Sequence, residues 1–138
     1  VPRYLIADSL RIIIAQRLLR RPCAFCTRPA PVNGETRQQL GLTEAQAAKL
    51  VRGTGCDMCK GSGYLGRVGV FEILALTDEV RDAFVDGAGT EEIAALAMKS
   101  GYQPLSMSAA RLAVEGLTTA EEILRVMGAQ GSRQRRLG

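Results

Sequence analysis

The chain has 138 residues, with 18 Lys or Arg against 14 Asp or Glu, and 46% of its residues are apolar. That is enough apolar material for one domain, or for two small ones sharing a core, so the chain is globular rather than disordered. It contains no histidine and no tryptophan, which excludes His-based triads and proton shuttles and leaves an aliphatic, alanine-rich core.

No secretory signal is recognisable, and the longest apolar run, Ile93 to Met98, cannot span a bilayer. The expectation is a soluble, cytoplasmic chain. Because it begins at Val1, almost inside a predicted helix, it reads as a fragment of something longer or as a processed protein. Charge is unevenly spread: residues 1–69 carry eleven Lys or Arg against four acids, and residues 70–128 carry four against ten. A solvated surface accounts for such a split, and so do complementary patches that bring two copies together head to tail.

Residues 4–21 predict an amphipathic helix, because Leu10, Ile13, Ile14, Leu18 and Leu19 recur at helical intervals while Arg11, Arg17 and Arg20 can turn outward. Arg20 and Arg21 suit the dipole at its end, and Pro22 disfavours continuation, which delivers Cys23 at the helix exit. Pro29, Pro31 and Gly34 mark a loop. Thr43 with Gln46 forms a capping box for a short helix over 44–51. Residues 67–76 are β-branched and aromatic enough for a short strand or hairpin, with Gly69 suggesting a bulge.

Four short helices follow. Thr77 caps residues 78–86, Thr90 with Glu91 and Glu92 opens 91–99, and Pro104 starts 104–115, which Gly116 ends. Thr118 with Glu121 reads as a second capping box for a helix through Met127. From Gly128 onward the expectation is a frayed, disordered tail over 129–138. The predicted fold is mainly α: a small tetracysteine module with a short β element, then a C-terminal helical bundle over 77–128.

The strongest chemical signal is two Cys-x-x-Cys pairs, Cys23 with Cys26 and Cys56 with Cys59, in a chain that has no other cysteine. Two such pairs most simply make one tetrahedral four-thiolate site, and Zn2+ favours soft sulfur ligands without demanding a particular d-electron geometry. Four thiolates leave no position for water or substrate, so the site is structural rather than catalytic. The 29 residues between the pairs exceed a usual zinc-ribbon gap, so the loop must fold back on itself.

The segment GSGYLG at 61–66 matches the glycine spacing of dinucleotide-binding loops, but a cysteine knuckle precedes it and a strand follows. It lacks the strand–helix context that holds a pyrophosphate, so the match is coincidental. No P-loop is present either, and the acids from Asp78 to Glu122 fall mostly where helix dipoles explain them. No catalytic or nucleotide-binding residue is assigned.

AQRLLRRPCAFC (15–26), GCDMCKGSGYLGRVGVFEIL (55–74), Thr90-Glu91-Glu92, the Gly101 turn and EGLTTAEEILRV (115–126) together resemble the C-terminal region of bacterial secretion ATPases. These are the GspE/PilB family of type II secretion and type IV pilus assembly. The resemblance runs from Tyr4 to Val126. Pro22, Ile12-Ile13 and the acid-free SMSAARLAV (106–114) depart from the family pattern.

The resemblance implies a hexameric parent at the cytoplasmic face of the bacterial inner membrane. Its ATP hydrolysis, with Mg2+, drives assembly through an inner-membrane platform protein. It further implies a linking helix over 1–22 from an upstream ATPase core, a zinc module over 23–76 with Cys23, Cys26, Cys56 and Cys59 as ligands, and closing helices without nucleotide chemistry. Neighbouring subunits and the platform protein are the implied partners, with no nucleic acid and no membrane insertion.

Two other readings of the residues compete. A zinc-ribbon nucleic-acid binder draws on the basic pI and on Arg133, Arg135 and Arg136, against acidic helices and few aromatics for stacking. A DnaJ-like cysteine-rich or redox module draws on CDMCKGSG (56–63), yet CAFCTRPA (23–30) is not a second repeat of it.

Overall fold

The computed structural model describes residues 1–128. The tail expected at 129–138 lies outside the described residues. In chain order the elements are α1 (Arg3–Ser9), β1 (Ile12–Pro22), β2 (Thr27–Pro29), α2 (Gly34–Leu40), α3 (Glu44–Ala47), β3 (Val51–Gly53), β4 (Tyr64–Ala75), α4 (Asp78–Val85), α5 (Thr90–Lys99), α6 (Leu105–Val114) and α7 (Ala120–Met127).

The largest departure from expectation lies at the start. The helix predicted over 4–21 ends at Ser9, whose hydroxyl donates to the Leu5 carbonyl, and Leu10 turns to extended backbone. Residues 12–22 are a strand that pairs with β4. The Leu76 amide donates to the Arg11 carbonyl at one end and the Cys23 amide to the Gly63 carbonyl at the other, so the two strands run antiparallel. Three consecutive isoleucines satisfy a helical stripe and a strand equally well, and β-branching favours the strand once a partner strand is available. The fold is thus less helical than expected: seven helices accompany two antiparallel strand pairs among the described residues.

Contacts divide the chain into two units. Residues 1–16 and 71–104 form the first, in which α1 packs on α4 and α4 on α5. Arg81 ties the helices together, donating from Nε to the Ala7 carbonyl at 2.8 Å and from Nη1 to Asp78 at 3.1 Å. Thr77 caps α4 as its sequence indicates, accepting from the Val80 amide. The cap of α5 is Gly89, one residue ahead of the predicted Thr90.

The second unit holds residues 17–70 and the chain from Leu105 onward. Its core joins Leu19 of β1, Val70 of β4 and Leu50 to Ala109, Ala113 and Ile123 of the last two helices. The four predicted closing helices are all present, but α4 and α5 belong to the first unit and α6 and α7 to the second.

Within the 29-residue excursion, α3 carries the expected capping box between Thr43 and Gln46 but stops at Ala47. Val51–Gly53 then pairs antiparallel with Thr27–Pro29 in the register Thr27↔Gly53, Arg28↔Arg52, Pro29↔Val51. After the loop expected from Pro29 to Gly34, a stretch for which no element was expected forms α2. Asn33 caps it by accepting from the Thr36 amide at 2.8 Å, and Gly41 ends it in a left-handed conformation at φ 67°. The α7 cap lies one residue later than read: Thr119, not Thr118, accepts from the Glu122 amide.

Candidate metal centre

Two knuckles present the four cysteines. In the first, the Cys26 amide donates back to the Cys23 carbonyl and the Thr27 hydroxyl bonds the same oxygen, so the chain turns tightly between the two sulfurs. In the second, the Gly61 amide closes on the Cys56 carbonyl at 2.9 Å and the Ser62 amide on the Cys59 carbonyl at 3.1 Å. Lys60 takes positive φ, 53°, to make this turn.

The knuckles are held together by backbone. The Cys23 amide donates to Gly63, and both the amide and the hydroxyl of Thr54 donate to the Cys26 carbonyl. Gly53 and Gly63 cross so closely that a Cβ on Gly53 would stand 2.0 Å from the Gly63 carbonyl oxygen.

The result is a compact set of sulfurs. All four Sγ atoms lie within 4.8 Å of one another, with 3.8 Å between Cys23 and Cys56, 3.9 Å between Cys26 and Cys59, and 3.7 Å between Cys56 and Cys59. A tetrahedron of thiolates around Zn2+ at its usual bond length has edges of ~3.8 Å, so these donors fit that ion. Cys23, Cys26 and Cys59 are buried and Cys56 is partly exposed.

Amides also point at sulfur: Gly55 N–H donates to Cys26, and the N–H groups of Cys56 and Gly63 both donate to Cys59 at 3.2 Å. Burial works against ionisation of Cys59, but those two amides and the neighbouring Cys56 and Cys26 thiols outweigh it and bring its pKa down to about 6. Burial dominates at Cys23 and pushes it up to about 11. The amides aimed at Cys59 thus favour its thiolate, while burial disfavours that of Cys23.

The glycine pattern at 61–66 sits inside this centre: the Cys59 knuckle precedes it, β4 starts at Tyr64, and Gly63 donates its N–H to sulfur.

Comparison with known proteins bears on what kind of chain carries this centre. The family model described as type II/IV secretion system protein matches residues 1–125. The chain belongs to that family. The type IV pilus assembly ATPase PilB of Thermus thermophilus is 39% identical over 126 residues, covering 90% of this chain and 14% of that protein. PilB of Pseudomonas aeruginosa is 38% identical over 128 residues, covering 91% and 22%. Type II secretion system protein E of Dickeya dadantii is 37% identical over 125 residues, covering 89% and 24%. The chain therefore spans between about one seventh and one quarter of the length of these relatives.

In this secretion ATPase region the sequence reading missed a second polar cluster. From sequence alone Glu122 reads as a first-turn acid and Arg20 as a helix-end cation. Arg20 instead lies on β1 and its Nε donates to Glu122 Oε2 at 2.8 Å, while Arg125 grips both carboxylate oxygens. The Glu122 side chain is fully buried. Arg20 stacks 4.1 Å over the Tyr64 ring, and the Tyr64 hydroxyl hydrogen-bonds Thr119. Thr118, freed from capping, donates to the Arg20 carbonyl. Burial raises the Glu122 pKa, but Arg125 and Arg20 outweigh it and hold the carboxyl below its ordinary value. This cluster fastens the two strands leading to the knuckles onto α7. No local motif announces it, because its partners stand about a hundred residues apart; the available signal was Glu122 at the third position after a Thr cap.

Proposed function

We propose that this chain is a metal-stapled, non-catalytic region of a hexameric secretion ATPase that powers type II secretion or type IV pilus assembly. The observation that carries the reading is the clustering of four sulfurs within 4.8 Å of one another in a chain of this family. Cys23, Cys26, Cys56 and Cys59 hold a structural Zn2+, which closes the long excursion into a rigid lobe. ATP and Mg2+ are handled by an ATPase core elsewhere in the parent. The parent works in the cytoplasm against the inner membrane, where the lobe is a surface for the platform protein. No helix among the described residues is long and apolar enough to cross a membrane, consistent with a peripheral position.

Metal analysis of the purified chain tests the first part: one zinc per chain is expected, with thiols unreactive until a chelator is added. Replacing Cys56 and Cys59 by Ser should release the metal and abolish capture by the platform protein. Thiols that cycle through disulfides without bound zinc would instead support a redox module.

A further inference from the structure

The four sulfurs of the metal centre are not equivalent. Cys23, Cys26 and Cys59 are buried, whereas Cys56 is partly open to solvent. Backbone amides reach two of the buried three: Gly55 N–H donates to Cys26, and the N–H groups of Cys56 and Gly63 donate to Cys59. Among the described residues no N–H donates to the Cys56 sulfur, whose contacts are the sulfurs of Cys23 and Cys59. An N–H donor draws charge from a thiolate and weakens it as a nucleophile, and burial keeps an attacker out. Cys56 is the one sulfur under neither restraint. Its loop is open as well: Asp57, Met58 and Lys60 are exposed, and a Cβ added at Gly61 would meet nothing within 4 Å.

A second sulfur stands ready beside it. Cys59 is 3.7 Å away and Cys23 3.8 Å, and a disulfide needs about 2.05 Å, so one of these gaps must close. Cys56 and Cys59 share a single turn flanked by Gly55 and Gly61, both at positive φ, and can close within it. Bringing Cys56 onto Cys23 would instead move one knuckle against the other. That movement opposes the bonds from the Cys23 amide to Gly63 and from Thr54 to Cys26.

We propose that Cys56 is a site of oxidation by peroxides, with Cys59 as its resolving sulfur, and that this pair opens the metal staple reversibly. The proposal rests on the reading of the four cysteines as a zinc site, in which each ligand is a thiolate. The Cys56 thiolate attacks the peroxide: a sulfur–oxygen bond forms, the O–O bond breaks, hydroxide leaves and Cys56 becomes a sulfenic acid. The Cys59 thiolate then attacks that sulfur, the sulfur–oxygen bond breaks and a second hydroxide leaves. The two thiolates have lost two electrons and the peroxide has gained them. Only Cys23 and Cys26 then remain as thiolate donors, too few for a closed tetrahedral site. A dithiol reductant reverses the step. Bulkier disulfide reagents do not reach a sulfur that is only partly open, so the zinc-bound centre stays inert to them.

The test treats the complete encoded polypeptide, loaded with zinc, with hydrogen peroxide at neutral pH. Dimedone traps sulfenic acid, peptide mass spectrometry locates the adduct, and a chromophoric indicator follows zinc. Cys56 should carry about tenfold more adduct than any of the other three cysteines. Without dimedone, the Cys56–Cys59 disulfide and free zinc should appear together, and a dithiol with added zinc should restore the centre. Adduct spread evenly over the four, or gathered on another cysteine, would overturn the proposal, as would a Cys23–Cys56 disulfide. Sulfoxide at Met58, which is 58% exposed between the two cysteines, with thiols and metal left intact, would overturn it too. Failure of the underlying reading is separable, because the polypeptide would then hold no zinc before peroxide is added.

Discussion

Gly53 and Gly63 stand back to back where the two knuckles close, and each is demanded by its neighbour. Gly63 takes φ 79°, and a Cβ there would lie 2.6 Å from the Gly53 carbonyl oxygen. Its amide also donates to Cys59, so displacing it disturbs one of the four clustered sulfurs directly. Outer-shell partners of metal ligands are typically worth ~10–100-fold in metal affinity, and Gly63→Ala should weaken zinc binding by about that factor. Gly61→Ala is the matched comparison. It has the same φ but open space around the added carbon, so it should cost ~1–2 kcal/mol of backbone strain and leave affinity within severalfold. Competition against a chromophoric chelator measures both; equal losses would show that φ, not the crossing, matters. At Glu122 the physics is electrostatic. Removing one member of a buried ion cluster costs ~3–5 kcal/mol, and the lower end applies here because Arg20 and Arg125 are both partly solvated. Glu122→Gln should therefore lower stability at neutral pH. Its folded pKa is depressed from the ordinary 4.5, so the stabilisation is fully present above that value and is lost as pH falls through the lower folded one. The stability gap between wild type and Glu122→Gln should be flat from pH 7 to about 5 and close below that. Urea titrations across this range decide it.

Among the elements, β2 and β3 should depend most on the proposed metal. Each has three residues, and their ladder spans only Thr27 to Pro29, extended by the Ala30 amide donating to Leu50 and the Thr54 amide to Cys26. Structural zinc supplies ~10–16 kcal/mol in small peptides, far above what such a ladder provides. Chelation at neutral pH should erase hydrogen-exchange protection in β2, β3 and both knuckles. α6 and α7, packed through Ala109, Ala113 and Ile123, should keep theirs. Loss of protection in all of them together would mean that the metal holds the whole unit. This hierarchy also explains what could be read from sequence. Caps and cysteine spacing are local signals, so Thr43, Thr77 and the clustering of the four cysteines were legible, as was the strand leading away from Cys59. The strand nature of residues 12–22 was not. Its partner lies some fifty residues downstream, and only pairing separates a strand from a helix in a run such as Ile12-Ile13-Ile14. The α2 helix was hidden for the opposite reason. Pro29, Pro31 and Gly34 shout loop, while Asn33, Glu35 and Gly41 supply a modest but sufficient cap, first-turn acid and stop.

For the whole molecule, the uneven charge survives folding as a surface property, but its members need sorting. Arg20 is spent on Glu122 and cannot serve a neighbour, so reversing it would test the internal cluster rather than assembly. Arg21 and Arg67 are exposed in the basic part of the chain, and Glu79, Asp82 and Asp86 are exposed on or beside α4 in the acidic part. In the proposed ring these charges would meet those of opposite sign on the next subunit, a heterologous arrangement that closes when the rotation permits. Exposed pairs of this kind contribute little each and are screened over about 8–10 Å at physiological salt. Their effect should therefore appear in the rate and salt sensitivity of assembly more than in its final strength. Arg21→Glu with Arg67→Glu in the complete polypeptide should slow ring formation about tenfold or more at low salt, with the difference shrinking as salt rises. Mass photometry after dilution from a dissociated state follows this directly. A slowing that persists unchanged in high salt would point to lost packing. Identical rates throughout would remove the charge split from assembly and return it to ordinary solvation.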